Sequence, residues 1–143
     1  MNEHTEEISF FRSSLLDYLE NYHPEQYGDR HFIDKRCEQA AQTFEQARLE
    51  GENVSSAVAL ACEVLFAGLR FSKYGMIVSI LETDFDRIAP EKIRETALEL
   101  LPVCENVFEL YEITDEFEQS HEFKRCTYEV IGLINIYFQD HGL

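Results

Sequence analysis

Between Glu95 and Phe123 stand nine acids, Glu95, Glu99, Glu105, Glu109, Glu112, Asp115, Glu116, Glu118 and Glu122, and no lysine or arginine. Carboxylates at this density could hold a cation or meet a basic partner. On a helix, Glu105, Glu109 and Glu112 share one face, where like charges repel by about 0.2–0.5 kcal/mol per pair. Helix stability therefore does not ask for them. The partner-binding set read from the sequence is Glu105, Glu109, Glu112, Asp115, Glu116 and Glu118. The competing reading is a solvated face that only keeps the chain in solution, which is the commoner origin of a charge run.

Other constellations carry less. Arg70, Lys73 and Tyr74 form a basic-aromatic spot beside Gly68 and Gly75, able to hold an anion or simply to turn a corner between helices with Phe71 and Tyr74 as wedges. Glu63 and Arg70 lie two turns apart, and a desolvated carboxylate there could act as a base. More often such a residue reaches solvent. Glu118-Gln-Ser-His121 has the Glu-x-x-His spacing of di-iron bundles, but a true site needs a second such motif and two further glutamates. Ser120 reads as a helix cap, which would split the pair across a helix start. His23 and His31 flank a loop without ligand spacing. Cys37, Cys62, Cys104 and Cys126 share no local pairing or zinc-knuckle spacing and read as buried, reduced thiols. No phosphate loop, dinucleotide glycine pattern or nucleophile elbow is present. No catalytic residue, metal ligand or cofactor is assigned, and an enzyme is the minority reading.

The elements that position these residues are helices. Val54–Leu69 holds a single charge, Glu63, and is apolar nearly all round, so it reads as a buried central helix. Val54, Ala57, Val58, Ala61, Leu65 and Gly68 share one face. A first helix is expected over about Glu6–Tyr22, capped by Thr5, with Ile8, Phe11, Leu15, Tyr18, Leu19 and Tyr22 facing the core. His23-Pro24 ends it. Asp29 caps a second helix over about Arg30–Glu50, stopped by Gly51. Asn53 or Ser55 caps the third. Tyr74, Ile77, Val78, Leu81 and Phe85 carry a fourth. Pro90 opens a fifth, which Pro102 kinks or ends, with a short sixth over Val103–Tyr111. Thr114 and Ser120 are caps, and about His121–Gln139 forms the last helix. The fold expected is an all-α, single-domain bundle of six to seven helices spanning residues 1–143.

Composition agrees. Apolar residues make up 45% and aromatics 13%, while glycine and proline number only 6 and 3, which disfavours turn-rich β architectures. Twelve Lys and Arg against 28 Asp and Glu give a net charge of −16. That argues against direct binding to nucleic acid or an anionic membrane, whose phosphates need cations. Met1–Phe10 lacks the pattern of a signal peptide, and no apolar run approaches the ~18 residues of a membrane span. A cytoplasmic protein is expected.

Three blocks, TFEQARLEG (Thr43–Gly51), GLRFSKYGMIVSIL (Gly68–Leu81) and ELLPVCENVFELY (Glu99–Tyr111), occur in this order, preceded by FFRSSLLDYLENYHP (Phe10–Pro24). In that arrangement the chain resembles a small all-helical family of Bacteroidales proteins of unknown function. The resemblance implies a multihelical fold and a genomic setting that often includes mobile elements. It implies no activity and no catalytic residues. The reading that follows is a non-enzymatic helical module with an acidic face for a protein partner. The alternative is a DNA mimic, of the anti-restriction type, that fills the basic cleft of a nucleic-acid enzyme. An enzyme with a small pocket near Glu63 is the third.

Overall fold

The computed structural model describes residues 3–142. Among them are six α-helices and three short 3-10 turns, with no strand. Among the described residues no helix is long and apolar enough to cross a membrane. The chain divides into two compact units, Met1–Leu69 and Arg70–Leu143.

The first unit contains α1 (Glu3–Tyr22), a 3-10 turn at Pro24–Gln26, α2 (Arg30–Leu49) and α3 (Val54–Leu65). Phe11, Leu15 and Leu19 recur every four residues along α1 and meet Ile33, Cys37, Ala40 and Ala41 of α2. Thr5 lies inside α1 and does not cap it. Asp29 and Asn53 do cap α2 and α3, their side chains accepting from the N–H groups of Phe32 and Ser56. After α2 the backbone of Gly51 takes φ +96°, a conformation that glycine adopts without a Cβ penalty. His23 is buried, and its Nε2 lies 2.7 Å from the Leu69 carbonyl, which also accepts from the Tyr18 hydroxyl at 2.9 Å. Those bonds pin the segment that follows α3.

The expected central helix needs correcting. It ends at Leu65, and it is buried on one face only: Ala57, Ala61 and Leu65 are inaccessible, while Val54 and Leu60 are 55% and 41% exposed. Alanines on both sides, Ala40 and Ala41 on α2 and Ala57 and Ala61 on α3, let the two backbones approach closely. The low polarity of the outer strip reflects small residues such as Ala59, not a surrounding shell of helices.

The second unit contains α4 (Lys73–Asp84), a 3-10 turn at Pro90–Lys92, α5 (Ile93–Phe108), a 3-10 turn at Phe117–Gln119 and α6 (Phe123–Asp140). Ser72 caps α4 by accepting from the Gly75 N–H at 2.7 Å. Ile77, Leu81, Leu100, Cys104, Phe108, Val130 and Ile134 fill the core. Phe71, Phe117 and Phe123 meet edge to face in it, the ring geometry that aromatic quadrupoles favour.

Here Pro102 neither ends the helix nor starts another, because α5 runs unbroken through it. Proline costs a helix the bond to the carbonyl four residues back. That carbonyl belongs to Leu98, which like Pro102 lies on the exposed side, where water can serve it. Ser120 does not cap α6: its hydroxyl donates to the Phe117 carbonyl at 2.7 Å and closes the 3-10 turn. Thr114 does not cap that turn either: its hydroxyl accepts from the Glu116 N–H at 3.3 Å, while Glu116 takes the N-terminal position without a side-chain cap.

Candidate functional site

The acidic segment begins on the last turns of α5 and continues into the turn that follows. The helix stops at Phe108, with Glu109 as its C-terminal cap, so Glu112 lies beyond the helix and does not share a helical face with Glu105 and Glu109. The chain leaves the helix here because Tyr111 turns inward. Its ring packs 5.9 Å from that of Phe117, and its hydroxyl donates to Glu129 at 2.8 Å. Desolvation, then the Glu129 hydrogen bond, push the Tyr111 phenol up to about 12.

The six predicted carboxylates separate into two kinds. Glu105 takes the Lys73 ammonium at 2.9 Å, and that ammonium also lies 5.5 Å from the Phe108 ring centroid. Asp115 accepts from the Arg70 backbone N–H at 3.0 Å, tying the turn to the start of the unit. Both contribute to the architecture. Glu109, Glu112, Glu116 and Glu118 are exposed, and among the described residues none of them is in an ion pair. Leu110, between Glu109 and Glu112 in the chain, is 73% exposed.

At the basic-aromatic corner, Tyr74 is buried and the Arg94 guanidinium lies 5.7 Å from its ring centroid. Lys73 is engaged with Glu105, and Arg70 is exposed. Glu63 is exposed on the outer side of α3. Glu118 and His121 are both exposed and sit on either side of Ser120, off any α-helix.

A second cluster, in the first unit, was not read from the sequence. His4, on the first turn of α1, places Nδ1 2.5 Å from Glu45 Oε1 and Nε2 3.0 Å from Glu38 Oε1, both on α2. Glu7, one turn along α1, joins them. Its Oε2 is closed off from solvent, and its carboxyl shares a hydrogen bond with that of Glu45. The hydrogen bond to Glu45 raises the His4 pKa above its usual value, and the same bond lowers that of Glu45. Burial raises Glu7, and the adjacent Glu45 carboxylate adds to the effect. One donor atom each from His4, Glu7 and Glu45 lie within 4.8 Å of one another. The signals available were the i, i+3 spacing of His4 and Glu7 and the seven-residue spacing of Glu38 and Glu45, which puts two carboxylates on one face of α2.

The thiols are structural. Cys37, Cys104 and Cys126 are buried, Cys62 is half-buried, and all four are unbonded. Burial pushes Cys104 and Cys126 up to about 11.

Comparison with known proteins adds the following. A family model described as a domain of unknown function, DUF1896, matches residues 3–143. Among solved structures, the crystal structure of protein PG0816 from Porphyromonas gingivalis is similar, with 34% identity and a TM-score of 0.90 over 96% of this chain and 95% of that one. No curated protein matches.

Proposed function

We propose that this chain, which belongs to the DUF1896 family, is a non-enzymatic protein-interaction module whose contact face lies at the end of α5 and on the turn after it. The observation that carries this reading is Leu110, 73% exposed and flanked in the chain by the exposed Glu109 and Glu112. A single exposed leucine is ordinary. One flanked by exposed carboxylates suits a contact patch, where an apolar side chain gains from burial and nearby charges steer the approach. The complementary partner is a basic protein segment with an apolar side chain to cover Leu110. Four unbonded cysteines fit a reducing compartment, and we place the protein in the cytoplasm.

The net charge of −16 favours a second reading, a DNA mimic occupying the basic cleft of a nucleic-acid enzyme. The two readings differ at Leu110. Capture from a native extract on immobilised wild type, Leu110→Ser and Glu109→Gln/Glu112→Gln separates them. A module of the proposed kind loses its partner with either variant. A mimic that acts through charge alone keeps its partner with Leu110→Ser and loses it with the double glutamine change. Retention by both variants refutes both readings of this face.

A further inference from the structure

We propose that two copies of this chain pair through the outer face of α6, antiparallel about a two-fold axis beside Gly132. The proposal is independent of the acidic face at the end of α5.

The face is what the core leaves over. Cys126, Val130, Ile134 and Phe138 are the buried side of α6. At 3.6 residues per turn the opposite side is made by Tyr128, Gly132, Asn135, Ile136 and Gln139, all of them exposed. Tyr128 and Ile136, one turn to either side of Gly132, are 62% and 55% exposed. In a chain of net charge −16, no charged residue occurs from Val130 to Gln139. The acid on the flank, Glu129, is already held by Arg125 at 3.1 Å and by the Tyr111 hydroxyl at 2.8 Å.

Gly132 has no explanation within its own chain. Its φ is not positive, so no turn requires a glycine there. A Cβ at this position would meet no atom within 4 Å, so no neighbouring element requires one either. Glycine inside a helix costs about 0.8–1.0 kcal/mol relative to alanine. What it offers in return is close approach of another backbone, and here that backbone must come from outside the chain.

The charges select a second copy as the occupant. Chains this acidic repel one another over most of their surface, and the centre of this face adds nothing to that repulsion. Its ends carry opposite signs: the exposed Lys124 and Arg125 stand at the start of α6 and the exposed Asp140 at its end. Antiparallel pairing centred on Gly132 sets the basic end of each copy beside Asp140 of the other, and Tyr128 of each beside Ile136 of the other. Every contact then occurs twice, as in any two-fold interface. It also opposes the two helix dipoles. Parallel pairing would instead bring like charges together at both ends. A basic partner would be repelled by Lys124 and Arg125.

The test is sedimentation velocity of the full chain at about 100 μM, which populates any dimer with a micromolar dissociation constant. The proposal expects the wild type to sediment as a dimer. Gly132→Leu should hold the helices apart and weaken pairing by roughly tenfold or more. The same change should leave the monomer's melting temperature equal or higher, since leucine favours a helix and its Cβ has open space. Arg125→Glu and Asp140→Arg should each weaken pairing, and the double variant, which restores opposite signs across the two-fold, should recover it. The double variant decides the matter if Gly132→Leu does not fold. A monomeric wild type at that concentration overturns the proposal. So does a Gly132→Leu variant that dimerises as tightly as wild type, or a double charge reversal that pairs no better than the single ones.

Discussion

Arg36 offers a direct test of how the first unit is closed. It reaches from α2 to the C-terminal end of α3, where Nη1 lies 2.7 Å from the Ala67 carbonyl oxygen, 3.2 Å from that of Leu65 and 3.4 Å from that of Val64. Carbonyls at the end of a helix have no partner within it, and a cation there also meets the negative end of the dipole. Only the Ala67 bond is short. A hydrogen bond from a charged donor contributes about 1.5–3 kcal/mol, and the dipole another 0.3–1. The guanidinium also sits 4.8 Å from the Phe32 ring centroid, which adds about 0.5–1 kcal/mol at an exposed site. These overlap in one group that is only half-buried, so they do not sum. Arg36→Met keeps the apolar stem and removes the charge and donors. It should cost about 1.5–3 kcal/mol, read as a lower urea midpoint at unchanged slope. Arg36→Lys should recover part of that, since an ammonium keeps the charge without the planar fork. A loss under about 0.5 kcal/mol for Arg36→Met would show that water serves those carbonyls as well and refute the capping argument.

Three further outcomes follow from the packing and the titrating groups. Leu65, fully buried on α3, should cost about 2–5 kcal/mol when changed to alanine, measured by chemical denaturation; a loss below half a kcal/mol would make α3 peripheral. The thiols of Cys104 and Cys126, pushed up to about 11 by burial, should react slowly with a thiol reagent at pH 8 without denaturant, and rapid labelling of either would contradict their placement. Tyr111 is raised to about 12 by desolvation and its bond to Glu129. A raised folded pKa means that its stabilisation is complete below the unfolded value near 10 and is lost as pH rises from there through about 12. Phenolate absorbance in a pH titration should therefore show a late step that Tyr111→Phe removes, and an unchanged profile would contradict it.

Much of the helical layout was legible because its signals are local. Phe11, Leu15 and Leu19 declare a face by spacing, Asp29 and Asn53 declare caps by type, and Gly51 a stop. Where tertiary context decides, the sequence misled. Low polarity over Val54–Leu69 suggested a helix with neighbours on most sides, yet small residues can also line an outer strip, as Ala59 does. Pro102 is a breaker by type and sits inside α5 at an exposed position, with the residue whose carbonyl it cannot serve, Leu98, exposed as well. At the acidic segment the residue types were readable and their partners were not. Lys73 and Glu105 are 32 residues apart, and nothing local links them or Arg70 to Asp115. Leu110 drew no notice in the sequence, since an apolar residue on an apolar helix reads as core until the helix is seen to end before it. The His4 cluster was hidden for a similar reason, its two halves lying on α1 and α2.

The central claim is that the exposed carboxylates at the end of α5 and on the turn after it are a contact face and not only a solubilising one. The most direct measurement is the association rate of a captured partner with wild type and with Glu109→Gln/Glu112→Gln, across a series of salt concentrations. Removing two exposed like charges should leave the fold intact and raise stability by at most a few tenths of a kcal/mol. A contact face predicts that the variant associates more slowly, and that wild-type association falls as salt screens the face, with a reach of about 8 Å at physiological ionic strength. Association at the wild-type rate, with the wild-type salt dependence, would contradict the claim and leave these glutamates as solvated surface.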